Sequence, residues 1–184
     1  MNIIMTGSTS FVGAATVREL LRRGHTVTAI VRPKSSKLDT ILEGNEEALL
    51  SGRLLVIEND LSESERLLEK VTKPQDVFCH FGWGGSGSAS RTDKALQEKN
   101  MEISLETVRT AEALGCSKFL FSGSQAEYGM HRDLITEETV CEPKSLYGEA
   151  KLAMREKGEK LCSELGLRYI HARIFSAYGP GDHP

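Results

Sequence analysis

Long apolar runs are missing from the sequence. None approaches the roughly 20 residues that a bilayer span requires, and the start, MNIIMTGSTS, has neither the basic flank nor the extended apolar core of a secretory leader. Cysteine is sparse. Cys79, Cys116, Cys141 and Cys162 lie far apart, with no CxxC pair and no Cys/His cluster at zinc-ligand spacing, which argues against a disulfide framework or a metal site. Free thiols in a cytoplasmic protein are the expectation. No internal repeat, low-complexity tract or Pro-rich linker is present. Nor does one charge dominate: 23 Lys plus Arg against 26 Asp plus Glu leaves a formal net charge of −3, which gives no footprint for nucleic acid or an anionic membrane.

What is there suits a single globular domain. With 184 residues, 39% of them hydrophobic and 27% charged, the chain can bury a sizeable core. Short β-rich apolar runs alternate with longer amphipathic stretches, the pattern of parallel strands joined by crossover helices. The strand candidates are 2–6, 26–31, 54–58, 76–81, 118–122 and 168–175; each is a continuous apolar run, as expected where both faces of a sheet are covered. Helices are expected near 11–23, 62–71, 92–114 and 146–165, with a short one around 38–42. Gly24, Gly115 and Gly166 each follow a helical stretch, where a left-handed cap suits a residue without Cβ. The Gly/Ser-rich stretch 82–90 directly follows the fourth strand and reads as a functional loop.

The first strand runs into Thr6-Gly7-Ser8-Thr9-Ser10-Phe11-Val12-Gly13 and then a helix. A strand, a glycine turn and a helix N-terminus present free N–H groups and a positive dipole end to a pyrophosphate. Gly7 permits the tight turn and Gly13 close packing of the helix on the sheet. An acidic residue at the end of the second strand would bond a ribose 2′-hydroxyl; here stand Arg32, Lys34 and Lys37, which suit a 2′-phosphate. NADP is therefore favoured, with NAD the alternative.

Tyr147 and Lys151 are four residues apart and share one helix face. A nearby ammonium favours a phenolate and is expected to lower the tyrosine's pKa toward useful proton exchange. The fifth strand leads into Ser122-Gly123-Ser124, which brings hydroxyls to the carboxyl edge of the sheet, where ligands bind in open α/β folds. Ser124 or its rival Ser122 could donate to an oxygen that gains negative charge.

Taken together these motifs resemble the extended short-chain dehydrogenase/reductases, the NAD(P)-dependent nucleotide-sugar epimerases, dehydratases and reductases. The resemblance spans the chain: TGSTSFVG for TGxxGxxG, Asp60-Leu61, His80-Phe81-Gly82-Trp83 for an HxAA-like strand end, Asn100, the Ser124 segment, YGEAK, and Arg173 to Gly181 for RxxNxYGPG. It implies a Rossmann-like, doubly wound parallel sheet with helices on both faces. It further implies Tyr147 as general acid or base, Lys151 on the nicotinamide ribose, and Ser124 on the keto oxygen. Gly7, Thr9, Ser10, Phe11, Val12 and Gly13 would bind the pyrophosphate. Asp60 and Leu61 would border the adenine, and Phe81, Gly82 and Trp83 would line the cofactor channel. Asn100 is carried over as a cofactor-site residue that bridges its helix to neighbouring backbone. Members of the group dimerise through their two long helices, here near 92–114 and 146–165, into a four-helix bundle, so a homodimer is expected.

Departures narrow the chemistry. Ser10 replaces the middle glycine and either adds a hydroxyl contact or loosens the turn; Ser176 replaces an asparagine. Gln125 and Ala126 stand where dehydratases of the group carry Asp-Glu, and no Cys/His pair matches the 3,5-epimerases. The resemblance then leaves 4-keto reduction or C4 epimerisation of a nucleotide-activated sugar. A non-catalytic dinucleotide-binding module is the alternative. Relatives continue with a C-terminal substrate domain, so the 184 residues are expected to show weak turnover or none alone. His25, His80, His131 and His171 are read as structural.

Overall fold

The structure, a computed structural model, describes residues 1–85 and 89–182. Ser86, Gly87 and Ser88 of the Gly/Ser stretch, with His183 and Pro184, lie outside the described residues. Six strands form one sheet: β1 (Asn2–Thr6), β2 (Thr26–Val31), β3 (Leu54–Glu58), β4 (Val77–His80), β5 (Lys118–Ser124) and β6 (Arg168–Ile174). Their order is β3-β2-β1-β4-β5-β6, and every pairing is parallel, with Ile3 against both Val27 and Val77, Phe78 against Phe119, and Ser124 against Ile174.

Alternation along the strands sorts the core into two layers. Ile3, Met5, Val27 and Ala29 pack with Ala14, Val17 and Leu21 of α1 (Phe11–Arg22). Ile4, Phe78, Phe119 and Phe121 pack on the other face with Val108 and Ala111 of α5 (Lys94–Ala113) and with Met154 and Leu161 of α6 (Leu146–Glu164). Phe78, Phe119 and Phe121 are fully buried, each such burial contributing roughly 1.5–3 kcal/mol. The sheet is thus clad by helices on both faces, in the doubly wound Rossmann-like arrangement. Strand order reverses between β1 and β4, and the carboxyl ends of those strands open a crevice there.

Two stretches differ from the expected helices. Residues 62–71 begin as a 3₁₀ segment, Leu61–Arg66, broken at Glu63 (φ −124°), and only Leu67–Lys70 (α4) is α-helical. The Asn59 side chain donates to the carbonyls of Asp60 (2.8 Å) and Glu63 (2.9 Å), taking acceptors a regular helix would use. In the connection after β2, α2 (Asp39–Leu42) is followed by an unforeseen helix, α3 (Glu46–Leu50), whose first turn carries Glu46 and Glu47 at the favourable dipole end. Gly24, Gly115 and Gly166 all take the positive φ expected of them.

Candidate active site

The crevice begins at Gly7. Its φ is +66°, and a Cβ there would stand 2.6 Å from the Phe81 carbonyl carbon and 2.7 Å from Gly82 N. A side chain is excluded both by conformation and by the end of β4. At Gly13 a Cβ would collide with the Gly7 carbonyl oxygen, so α1 can sit this close only because both residues are bare.

Helical geometry leaves the first four N–H groups of α1 without intrahelical partners. Ser10 N donates to Gly7 O (3.0 Å), and Gly13 N donates to Ser10 Oγ (3.1 Å). The N–H groups of Phe11 and Val12 have no acceptor among the described residues, and they carry the positive end of the helix dipole. This cradle fits a dinucleotide pyrophosphate. Of the two expectations for Ser10, the turn is not loosened, and the hydroxyl bonds within the turn: Ser10 Oγ donates to Gly7 O at 2.8 Å.

From the cradle a groove of about 310 Å³ runs toward β2, with Thr9, Arg32, Lys37, Asn59, Leu61 and Gly82 in its wall. Arg32 and Lys37 are exposed cations there, and among the described residues no carboxylate lines the groove. Asp60 does not line it: its carboxylate caps the 3₁₀ segment, accepting from Ser62 N (2.9 Å) and Ser62 Oγ (2.6 Å). These bonds hold the Asp60 carboxyl below its usual range. Asn59 takes the place beside the groove, a neighbour that the resemblance did not single out.

Asn100 also stands behind the wall. Its side chain accepts from Gly84 N (3.0 Å) and donates to Gly84 O (2.8 Å), a two-way clamp on backbone. A line of hydrogen bonds supports the floor. Ser104 Oγ donates to Asn100 O (2.8 Å), so His80 Nε2 must donate to Ser104 Oγ (3.1 Å). Thr6 Oγ1 then donates to His80 Nδ1 (2.8 Å) and accepts from Gly82 N (3.3 Å). Complete burial pushes the His80 imidazole down to about 3, consistent with a neutral ring and a structural role.

The other arm of the crevice, about 600 Å³, brings Ser124, Tyr147 and Lys151 into one wall, together with Ser122, Trp83 and Arg91. α6 presents Tyr147 and Lys151 on one face; it starts at Ser145, whose side chain accepts from Gly148 N (3.1 Å). Lys151 is 2% exposed. Its Nζ donates to Ser122 O (2.7 Å) and lies 4.0 Å from the centroid of the Trp83 ring and 4.5 Å from that of Phe121, a cation on two aromatic faces. Burial pushes its ammonium down to about 7.

The expected lowering of Tyr147 by Lys151 is not what the geometry gives. Burial raises the Tyr147 phenol, and the opposing influences are Ser124 and the charge of Arg91. The Arg91 guanidinium lies 5.1 Å from the Tyr147 ring centroid. Lys151 is instead committed to the Ser122 carbonyl and to Trp83, which meets Tyr147 edge-on. Trp83 is fixed in turn, its Nε1 donating to Gln97 Oε1 (2.9 Å). Ser122 contributes its carbonyl, and Ser124 is the hydroxyl facing Tyr147. Among the described residues no group of three His, Cys, Asp or Glu side chains could hold a metal ion, and no helix is long and apolar enough to cross a membrane.

The model of the NAD dependent epimerase/dehydratase family matches residues 3–184. The chain belongs to that family. Over 178 residues it is 28% identical to a D-erythronate dehydrogenase of Cupriavidus necator, covering 95% of this chain and 53% of that one. Over 175 residues it is 29% identical to a dTDP-6-deoxy-L-talose 4-dehydrogenase (NAD(+)) of Aggregatibacter actinomycetemcomitans, covering 92% and 60%. A UDP-glucose 4-epimerase of Thermotoga maritima, solved with UDP-glucose, superposes with a TM-score of 0.80 at 25% identity, covering 98% of this chain and 57% of that one. The chain therefore spans about half the length of the curated relatives it matches.

Proposed function

We propose that these residues form the cofactor-binding and catalytic half of an NAD(P)-dependent enzyme acting on a nucleotide-activated sugar, by 4-keto reduction or C4 epimerisation. The observation that carries the reading is the meeting of Ser124, Tyr147 and Lys151 in one wall, in a crevice continuous with the N–H cradle of α1 through Ser10, Phe81 and Trp83. A bound nicotinamide ring supplies the acceptor and donor of hydride. Ser124 donates a hydrogen bond to the sugar oxygen, Tyr147 moves a proton at that oxygen, and Lys151 places positive charge behind both. Burial raises the Tyr147 pKa, so the phenol is protonated at neutral pH and in the form that protonates a nascent alkoxide.

Arg32 and Lys37, with no carboxylate lining the groove among the described residues, favour NADP over NAD by pairing with a 2′-phosphate. The proposal includes a cytoplasmic homodimer joined through α5 and α6, on which Ile103 and Leu152 remain half-buried in the single chain. A non-catalytic dinucleotide-binding module is the second reading, and one observation favours it: the Lys151 ammonium is already committed to Ser122 O and covered by Trp83.

The test is hydride transfer from NADPH to a 4-keto sugar nucleotide by a chain that also carries the C-terminal substrate domain. Tyr147→Phe is expected to lower kcat by a factor on the order of 10² to 10⁴ while NADPH affinity stays within about twofold. Equal rates would remove Tyr147 from the chemistry, and cofactor binding without transfer by the unsubstituted chain would leave the binding module.

A further inference from the structure

The carboxylate of Glu127 lies directly behind the catalytic wall, and the motif reading passed it over. We propose that Glu127 is a positioning residue for the Ser124–Tyr147–Lys151 group: it locks the turn that presents Ser124, and its buried negative charge favours the Lys151 ammonium. The inference rests on the reading above, since it gives a supporting role to a residue behind the same site.

The geometry is specific. Glu127 is fully buried. Its Oε1 accepts from Ser124 N at 2.7 Å, while Ser124 Oγ accepts from Ala126 N at 3.2 Å, so side chain and backbone close the 3₁₀ turn Gln125–Glu127 reciprocally. From β6, Arg173 Nε donates to Oε2 at 2.8 Å, and His171 Nε2 lies 2.9 Å from both carboxylate oxygens. The Tyr169 hydroxyl lies 3.2 Å from Met154 O and 3.0 Å from His171 Nδ1. β6 thus offers the carboxylate the Arg173 guanidinium and the His171 imidazole. Gly123 is what lets them meet: a Cβ there would stand 2.6 Å from Glu127 Oε1 and collide with His171 Nε2.

A turn of this kind can be closed by a neutral side chain, whereas burying a charge carries a desolvation penalty. The charge therefore points to an electrostatic role, and the groups it reaches identify one. Lys151 is faced by Glu127 from the turn after β5, by neutral His80 from β4, and by Tyr147 of its own helix, whose ring centroid lies 5.7 Å from Nζ. Tyr147 is faced by Ser124, by Arg91 from the 3₁₀ turn before α5, and by Glu127. Glu127 opposes deprotonation of both Tyr147 and Lys151. Its own carboxyl is held below its usual range, the His171 and Arg173 contacts outweighing burial. The remaining neighbours of the cluster are Tyr128, whose hydroxyl accepts from Arg173 (2.8 Å), and Cys141.

The chain carries its own reporter. Trp83 is the single tryptophan, and Lys151 Nζ lies over its ring, so Trp83 fluorescence against pH reads the charge of Lys151 without cofactor, substrate or turnover. A transition near pH 7 is expected and should vanish in Lys151→Met. Glu127→Gln keeps the acceptor for Ser124 N and removes the charge; the ammonium then loses support, so the transition moves to lower pH, by roughly one pH unit. Glu127→Asp keeps the charge and returns the midpoint most of the way. Should Glu127→Gln not fold because Arg173 is left unpaired, Glu127→Gln/Arg173→Met removes both partners of the pair, and the same direction of shift is expected.

The absence of a Lys151-dependent transition, or a cooperatively melting Glu127→Gln chain that titrates at the unsubstituted midpoint, overturns the proposal. Failure of hydride transfer with the acid shift intact would sink the functional reading instead, so the two are separable.

Discussion

At the β1 end of the crevice a ligand meets main chain; at the β5 end it meets side chains. The cradle consists of two bare residues, Gly7 and Gly13, and the unclaimed N–H groups of Phe11 and Val12. The wall at the β5 end consists of Ser124, Tyr147 and Lys151, each held by a contact with another residue: Glu127 on Ser124, Arg91 on Tyr147, and Trp83 with Ser122 on Lys151. The difference shows two ways to preorganise a site. One fixes partial charges by backbone geometry alone. The other sets the protonation of ionisable side chains by burial, which moves Lys151 down to about 7 and raises Tyr147, disfavouring the charged form of each.

If the two ends are independent, damage to one should leave the other readable. The largest effect is expected from Gly13→Ala, which drives a methyl into the Gly7 carbonyl and Ser10 Oγ. Overpacking of about 2 kcal/mol should weaken NADPH binding on the order of thirtyfold in a fluorescence titration, with the Trp83 pH transition unmoved. A transition that shifts with the cradle would show that the ends are coupled. Arg32→Ala comes next. Loss of one charge-assisted contact, about 1.5 kcal/mol, should weaken NADPH roughly tenfold and leave NADH unchanged; equal losses for both cofactors would take the 2′-phosphate away from Arg32. The smallest is Ser10→Ala, which removes the cap of α1 at a cost of ~1 kcal/mol and should lower Tm by about 2–4 °C in a thermal melt. A melt that does not move would mean that the turn holds without its hydroxyl.

The same contrast explains how much of the molecule was legible in the sequence. The sheet was readable because continuous apolar runs mark strands covered on both faces, and all six strands lie within one or two residues of their expected bounds. The cradle was readable because eight consecutive residues build it. Tyr147 and Lys151 were readable as a pair because a helix repeats its face every four residues. Their electrostatics were not, because the groups that set them are far away in sequence: Trp83 for Lys151, Arg91 for Tyr147, and for Glu127 the β6 pair His171 and Arg173, which stand 44 and 46 residues further on. Asp60 and Asn59 are a smaller case. Both are polar and adjacent, and only the 3₁₀ segment decides which side chain caps a turn and which lies beside the groove.

The line of hydrogen bonds from Gly82 through Thr6, His80 and Ser104 to the Asn100 carbonyl joins three elements in a single file. Because every hydrogen in it is already assigned, α5 cannot slide along the sheet without unmaking a bond under the crevice floor. Helix and floor therefore behave as one girder, and a load placed on the helix is borne beneath the crevice.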